Sequence, residues 1–271
     1  LLAKACNVNR EQAVFWLERF LIKILEYHYH HELNEEKLSY LISSFVDELM
    51  GKPVVWRIET WLMGIHMQTP KIELGKGIML RMPNKEDFEV AYPIYVSPLY
   101  NPARPSIVPD AILEINKKMK LIPYICPDKE RIIFSLQLYR PCSLYEIYAK
   151  WRSKAVIRGG SGEITRMHLL QETFRCILTR EDEAKLRSFI KIVAPRIPLD
   201  EERGMLSLNT YLGIALARYQ DALLKPEPVS NKIAYAVFGL EALYLKEGER
   251  QELGRRLAQR TSKIIYLLKK Y

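Results

Sequence analysis

Apolar positions recur at helical spacing through the end of the chain, from Leu206 to Leu268, in three consecutive segments. At about 100° per residue, Leu208, Leu212, Ala215, Leu216, Tyr219, Ala222 and Leu223 share one face of the first. Leu253, Leu257, Ile264, Leu267 and Leu268 share one face of the third. Between them, Val229, Ile233, Ala236, Val237, Leu240, Leu243 and Tyr244 form a face that Ala234, Phe238 and Leu245 widen to about 200° of the circumference. Such breadth predicts a central helix, joined to its neighbours by Lys225-Pro226-Glu227-Pro228 and by the turn Glu247-Gly248-Glu249. Glu241 falls inside the apolar arc, Arg260 falls in the apolar row of the third segment, and Arg218 flanks the first. Isolated buried charge is costly. The three are therefore expected to form a structural polar cluster, Glu241 meeting Arg260 or each meeting another partner such as Arg218, that fixes helix register.

Upstream the pattern is mixed. A helix is predicted from Glu11 to His31, with Val14, Leu17, Leu21, Leu25 and His28 on one row, and a second from Glu35 to Met50, ended by Gly51 and Pro53. From Val54 the period becomes two: Trp56, Ile58, Thr60 and Leu62 alternate with Val55, Arg57, Glu59 and Trp61. Ile72 to Ile78 reads as strand and tight turn, and Asn84-Lys85-Glu86-Asp87 as a helix cap. Tyr92 to Pro109 holds five of the fifteen prolines and is predicted to be loop. Its Tyr92, Tyr95, Tyr100 and Arg104 are read as anchors of that loop rather than as a base-stacking platform. Strands are predicted at Ala111–Ile115, Ile132–Tyr139, Leu144–Trp151 and Leu169–Leu178, with Gly159-Gly160-Ser161-Gly162 as a flexible turn. A helix then runs from Thr179-Arg180-Glu181-Asp182 to Ala194 and stops at Pro195 and Pro198. The expected fold is α+β. Residues 1–199 form N-terminal helices and a small, mostly antiparallel sheet region, and residues 200–271 form an all-α bundle.

Composition narrows the function. With 41 Lys and Arg against 32 Asp and Glu, the chain carries +9, which favours acidic partners such as nucleic acid. Cys6, Cys126, Cys142 and Cys176 are widely spaced, so neither a zinc site nor a disulfide framework is indicated and a cytoplasmic setting is expected. No apolar run is long enough to span a bilayer, so no membrane partner is expected. His28, His31 and Glu32 have the spacing of metal ligands on a helix but no evident fourth ligand, and read as a solvated surface. Gly75-x-Gly77 lacks the ending of a phosphate loop. Neither a metal nor a cofactor is expected.

The order Arg218-Tyr219-x-Asp221-Ala222-Leu223, Gly239-Leu240-Glu241-Ala242-Leu243 and Leu257-x-x-Arg260 resembles the Apea-like branch of the HEPN superfamily. Ile72 to Arg81 followed by Lys85-Glu86-Asp87 is similar to the sheet-containing region that precedes the helical domain in such proteins. The resemblance runs from about Leu38 onward and is strongest between Leu206 and Arg260. It implies an HEPN-like bundle that dimerises and, in many members, cleaves RNA without metal in defence or toxin systems, through an Arg-x4-6-His motif late in the bundle. Here the histidines lie at 28, 30, 31, 66 and 168, and none follows an arginine at that spacing. The catalytic residues are therefore unknown, the bundle is expected to be incomplete at its C-terminus, and the missing pair is expected beyond Tyr271. The expected function is RNA binding or metal-independent endoribonuclease action, with a non-catalytic dimerising scaffold or nucleotide- or nucleic-acid-binding protein as the alternative. Arg255, Arg256, Lys263, Lys269 and Lys270 are the candidate nucleic-acid contacts, and RNA and a second copy of the chain are the expected partners.

Overall fold

The computed structural model describes residues 9–30, 34–85, 87, 108–119, 126–153, 155, 160–165, 174–225, 227–244, 255, 258–263 and 266. Its centre is a six-stranded sheet in the order β3-β4-β5-β1-β6-β7, antiparallel at every step. The strands are β1 (Val54–Met63), β3 (Lys71–Gly75), β4 (Ile78–Arg81), β5 (Ala111–Met119), β6 (Tyr145–Ser153) and β7 (Gly160–Thr165). Two short strands, β2 (Ile65–Met67) and β8 (Cys176–Leu178), pair in parallel beside it.

One face of the sheet is the main core. Trp56, Ile58, Leu62, Ile72, Leu74, Leu80, Leu113, Ile115 and Trp151 pack with Ile132, Ile133 and Leu136 of α3 (Pro127–Tyr139) and with Leu186 and Ile190 of α4 (Asp182–Val193). Ahead of the sheet, α1 (Arg10–His30) and α2 (Glu35–Leu49) form a hairpin with its own small core, in which Phe20 stacks on Phe45 at 4.4 Å. Asn34 caps α2 by accepting from the Lys37 amide, and Glu35 and Glu36 complement its dipole.

The terminal helices correct the expected architecture. The six described α-helices are spread along the chain, two before the sheet and two across it, and the described residues form no all-α C-terminal bundle. In the terminal part, α5 (Tyr211–Leu224) and α6 (Val229–Tyr244) make a hairpin, and residues 255, 258–263 and 266 are helical. Leu216 of α5 packs with Phe134 of α3 and Ile197. The Tyr219 hydroxyl donates to the Gln137 carbonyl at 2.9 Å, and Gln220 donates to the Gln137 side chain at 3.2 Å. The terminal hairpin is thus fastened to the sheet's helical layer. Nor is α6 central: Val229, Ile233, Val237, Phe238 and Leu243 are exposed, and its buried residue is Gly239, where an added Cβ would sit 3.3 Å from the Ala215 carbonyl oxygen.

Three further expectations change. Ile132–Tyr139 is helix, not strand, because α3 is buried on nearly every side and its burial hides the helical period; Pro127, Asp128 and Glu130 were the start signal. In α1 the row Val14, Leu17, Leu21 and Leu25 is exposed, and the helix packs through Ala13, Trp16, Phe20 and Ile24 instead. Gly160, Ser161 and Gly162 belong to β7, and Gly162 lies against the Trp151 indole, where an added Cβ would fall 2.6 Å from a ring carbon. Of Leu169–Leu178, Cys176–Leu178 is strand, and residues 169–173 lie outside the described residues. The proline-rich stretch, except for Val108 and Pro109, lies outside them as well.

Candidate functional site: the charged face of the sheet

The alternation that sends Trp56, Ile58 and Leu62 into the core sends Arg57, Glu59 and Trp61 to the opposite face. Register then assembles a charged surface from four strands. Glu59 stands opposite Glu114 of β5 on one side and Lys150 of β6 on the other, and Arg57 stands between Asn116 and Arg152. Arg81 of β4 reaches the same group.

At one end of this face Trp61, Met63, Ile112, Ile147 and Tyr148 form a closed apolar cluster, with Trp61 and Tyr148 edge to face at 4.8 Å. Beside that cluster the Glu59 and Glu114 carboxylates are deeply buried, at 2% and 3% exposure. Two neighbouring buried carboxylates repel and lose hydration, and they persist ionised only if cations compensate them. Arg57 does so by bridging them, its Nη2 lying 2.7 Å from Glu59 and 2.8 Å from Glu114. Lys150 takes the other Glu59 oxygen at 2.6 Å, and Arg152 approaches Glu59 at 3.6 Å. Arg81 donates to Glu114 and, through both Nη atoms, to Asp87 at 2.6 and 3.0 Å. Asp87 and Asn84 hold each other as a cap, each side chain accepting from the other's backbone amide.

The titration directions agree with this arrangement. Burial pushes Asp87 up, but the hydrogen bonds from Arg81 and the Asn84 amide outweigh it and hold the carboxyl below its ordinary value. Arg81 is likewise raised against burial, by Asp87 and Glu114. Lys150 goes the other way: burial, then the neighbouring Arg152 and Arg57, lower it despite Glu163. Arg57 is 38% exposed and Arg152 59% exposed, so solvent meets guanidinium groups while the carboxylates lie beneath.

The residues expected to form a structural polar cluster, and the described ones among the expected nucleic-acid contacts, lie elsewhere. Arg218 pairs with Asp221 at 3.0 Å, the Arg260 guanidinium donates to the Tyr244 carbonyl, and half-buried Glu241 has no ion pair among the described residues. Arg255 and Lys263 are exposed helical residues, while the side chains of Arg256, Lys269 and Lys270 lie outside the described residues. His28 is exposed, and His31 and Glu32 lie outside the described residues. Among the described residues no cluster has the makings of a metal site, and no helix is long and apolar enough to cross a membrane.

No family model, no curated protein and no solved structure matches this chain. The charged face must be judged on its own chemistry. Its residues were visible in the sequence as charges at alternate strand positions, Arg57-x-Glu59 and Lys150-x-Arg152, opposite apolar partners. What the sequence did not display is that these strands are neighbours.

Proposed function

We propose that the protein binds RNA and that the charged face of the sheet is its platform. The observation that carries this reading is the vertical separation of charge: buried Glu59 and Glu114 orient Arg57 and Arg152, whose guanidinium groups face solvent. Exposed Asn116 and Lys118 continue the same face along β5, and the chain's net charge of +9 gives long-range attraction to polyanions. Hydrolysis would need a proton-transferring group beside a cation. Among the described residues no histidine stands in this cluster, and the proposal is of binding. The test is fluorescence anisotropy of labelled single-stranded and duplex RNA with the full chain across a salt series, with EDTA present and the RNA checked for cleavage. Binding through about three phosphates predicts a slope of log K against log salt near −2 on single strands. Absence of association at low salt, or affinity independent of salt, removes the reading.

A second reading, a scaffold that dimerises through the terminal hairpin, is supported by the exposed row Val229, Ile233 and Val237 on α6. Sedimentation equilibrium tests it: a dimer that dissociates in Val237→Asp favours the scaffold, and a monomer at all concentrations rejects it.

A further inference from the structure

Arg57 and Arg152 stand directly opposite each other on adjacent antiparallel strands. Like charges so placed destabilise a sheet, and the pair needs negative charge close by. One oxygen supplies it: Glu59 Oε1, 2.7 Å from Arg57 Nη2 and 3.6 Å from Arg152 Nη2. That oxygen is divided unequally. Arg57 has the short contact and shares its Nη2 with Glu114 at 2.8 Å, whereas Arg152 has the long contact alone among the described residues. The Arg57 Nε–H, buried, has no acceptor among them either. Lys150 lies 2.6 Å from the second Glu59 oxygen as an ion pair, and that oxygen accepts no hydrogen bond among the described residues. Glu163 faces Lys150 rather than the arginine pair, and it accepts from the Tyr148 hydroxyl. Two guanidinium groups thus share one surface position with donors in excess of acceptors.

We propose that Arg57 and Arg152 form a two-guanidinium clamp for a single tetrahedral oxyanion, which is a backbone phosphodiester of RNA; its identification as RNA rests on the binding function proposed above. A phosphodiester presents two unesterified oxygens, the number a pair of planar forks can share, and guanidinium groups suit this geometry better than ammonium groups do. A contact of this kind positions the backbone and reads no base, so it strengthens binding equally across sequences. Asn116 and Lys118 lie alongside on β5, where the next nucleotides of a bound strand would run.

The experiment compares the full chain with Arg152→Gln and with Arg57→Gln/Arg152→Gln, using Lys185→Gln on α4 as a control for loss of one exposed charge. Because Arg57 also bridges buried carboxylates, folding of the double variant is checked by circular dichroism, and Arg152→Gln alone keeps the test valid if it unfolds. Two probes are used: a labelled single-stranded RNA over a salt series, and inorganic phosphate followed by thermal shift. The clamp predicts that Arg152→Gln weakens RNA binding about tenfold at low salt and makes the salt slope shallower by about 0.7, and that Lys185→Gln does neither. It also predicts that phosphate stabilises the native chain and fails to stabilise Arg152→Gln. RNA binding with unchanged affinity and slope in Arg152→Gln overturns the clamp and leaves RNA binding standing. If RNA does not bind at all, the RNA assignment falls. The phosphate arm then decides the oxyanion site: stabilisation of the native chain alone upholds it, and equal or absent stabilisation in both overturns it.

Discussion

Replacing Glu59 with glutamine separates the structural duty of the buried carboxylate from the function assigned to the cations above it. The amide keeps the shape and removes the charge that Arg57, Lys150 and Arg152 approach at 2.7, 2.6 and 3.6 Å. Removing one member of a fully buried ion pair costs about 3–5 kcal/mol. Less is expected here. Arg57 retains Glu114 at 2.8 Å, Arg57 and Arg152 stay substantially hydrated, and Lys150, at 23% exposure, suffers most. A loss of about 2 kcal/mol is the reasoned figure, discounted for solvent screening. For a chain of this size each kcal/mol moves Tm by about 2–4 °C, so Glu59→Gln should melt about 4–8 °C below the native chain. Differential scanning calorimetry at neutral pH and moderate salt measures it. RNA affinity of the folded variant should be equal to or greater than that of the native chain, because a negative charge has been removed from beneath the guanidinium groups. A melting point within about 1 °C of the native value would show that the carboxylate is not a structural keystone. Weaker RNA binding by folded Glu59→Gln would show that the carboxylate's hold on Arg57 and Arg152 outweighs the charge it removes.

Three other substitutions probe the frame around the site. Gly162→Ala forces a methyl to within 2.6 Å of Trp151 in the core, and should cost about 1–3 kcal/mol in urea denaturation; native-like stability would mean the indole moves freely. Asp87 is held below its ordinary value of about 3.9, so its stabilising contribution is present above that pH and is lost as pH falls through the lower folded-state value. The stability gap between native and Asp87→Asn should therefore close between about pH 5 and pH 2 in urea titrations, and a gap independent of pH would contradict the Arg81 pairing. Tyr219→Phe removes the hydroxyl that joins α5 to the Gln137 carbonyl, and should cost about 1 kcal/mol; burial pushes this phenol up to about 12, so native Tyr219 should also escape spectrophotometric titration below that pH.

Local chemistry made some elements legible and tertiary context hid others. The limits of α2 and α4 follow from Asn34 with its two following acids, and from the proline after Ala194, signals that act within one turn. The strand β1 was visible because its two faces meet different surroundings, apolar helices on one and charged neighbours on the other. Where an element is buried on both sides, as α3 is, periodicity vanishes and an apolar run reads equally as strand. The reverse error occurred at α6, whose wide apolar arc suggested a central position although most of that arc faces solvent. Gly162 resembled a linker residue until Trp151 supplied the reason for its missing side chain. The charged face fails to appear in one dimension because Arg57, Glu114 and Arg152 meet through pairings across long sequence separations.

Arginine-selective dicarbonyl labelling, read by mass spectrometry with and without saturating RNA, locates the surface that RNA covers. RNA should shield Arg57 and Arg152 while Arg187 on α4 and Arg255 in the terminal helical segment remain as reactive as in the free protein. Shielding of Arg255 with Arg57 and Arg152 unchanged would contradict binding at the sheet face and return the interface to the terminal helices.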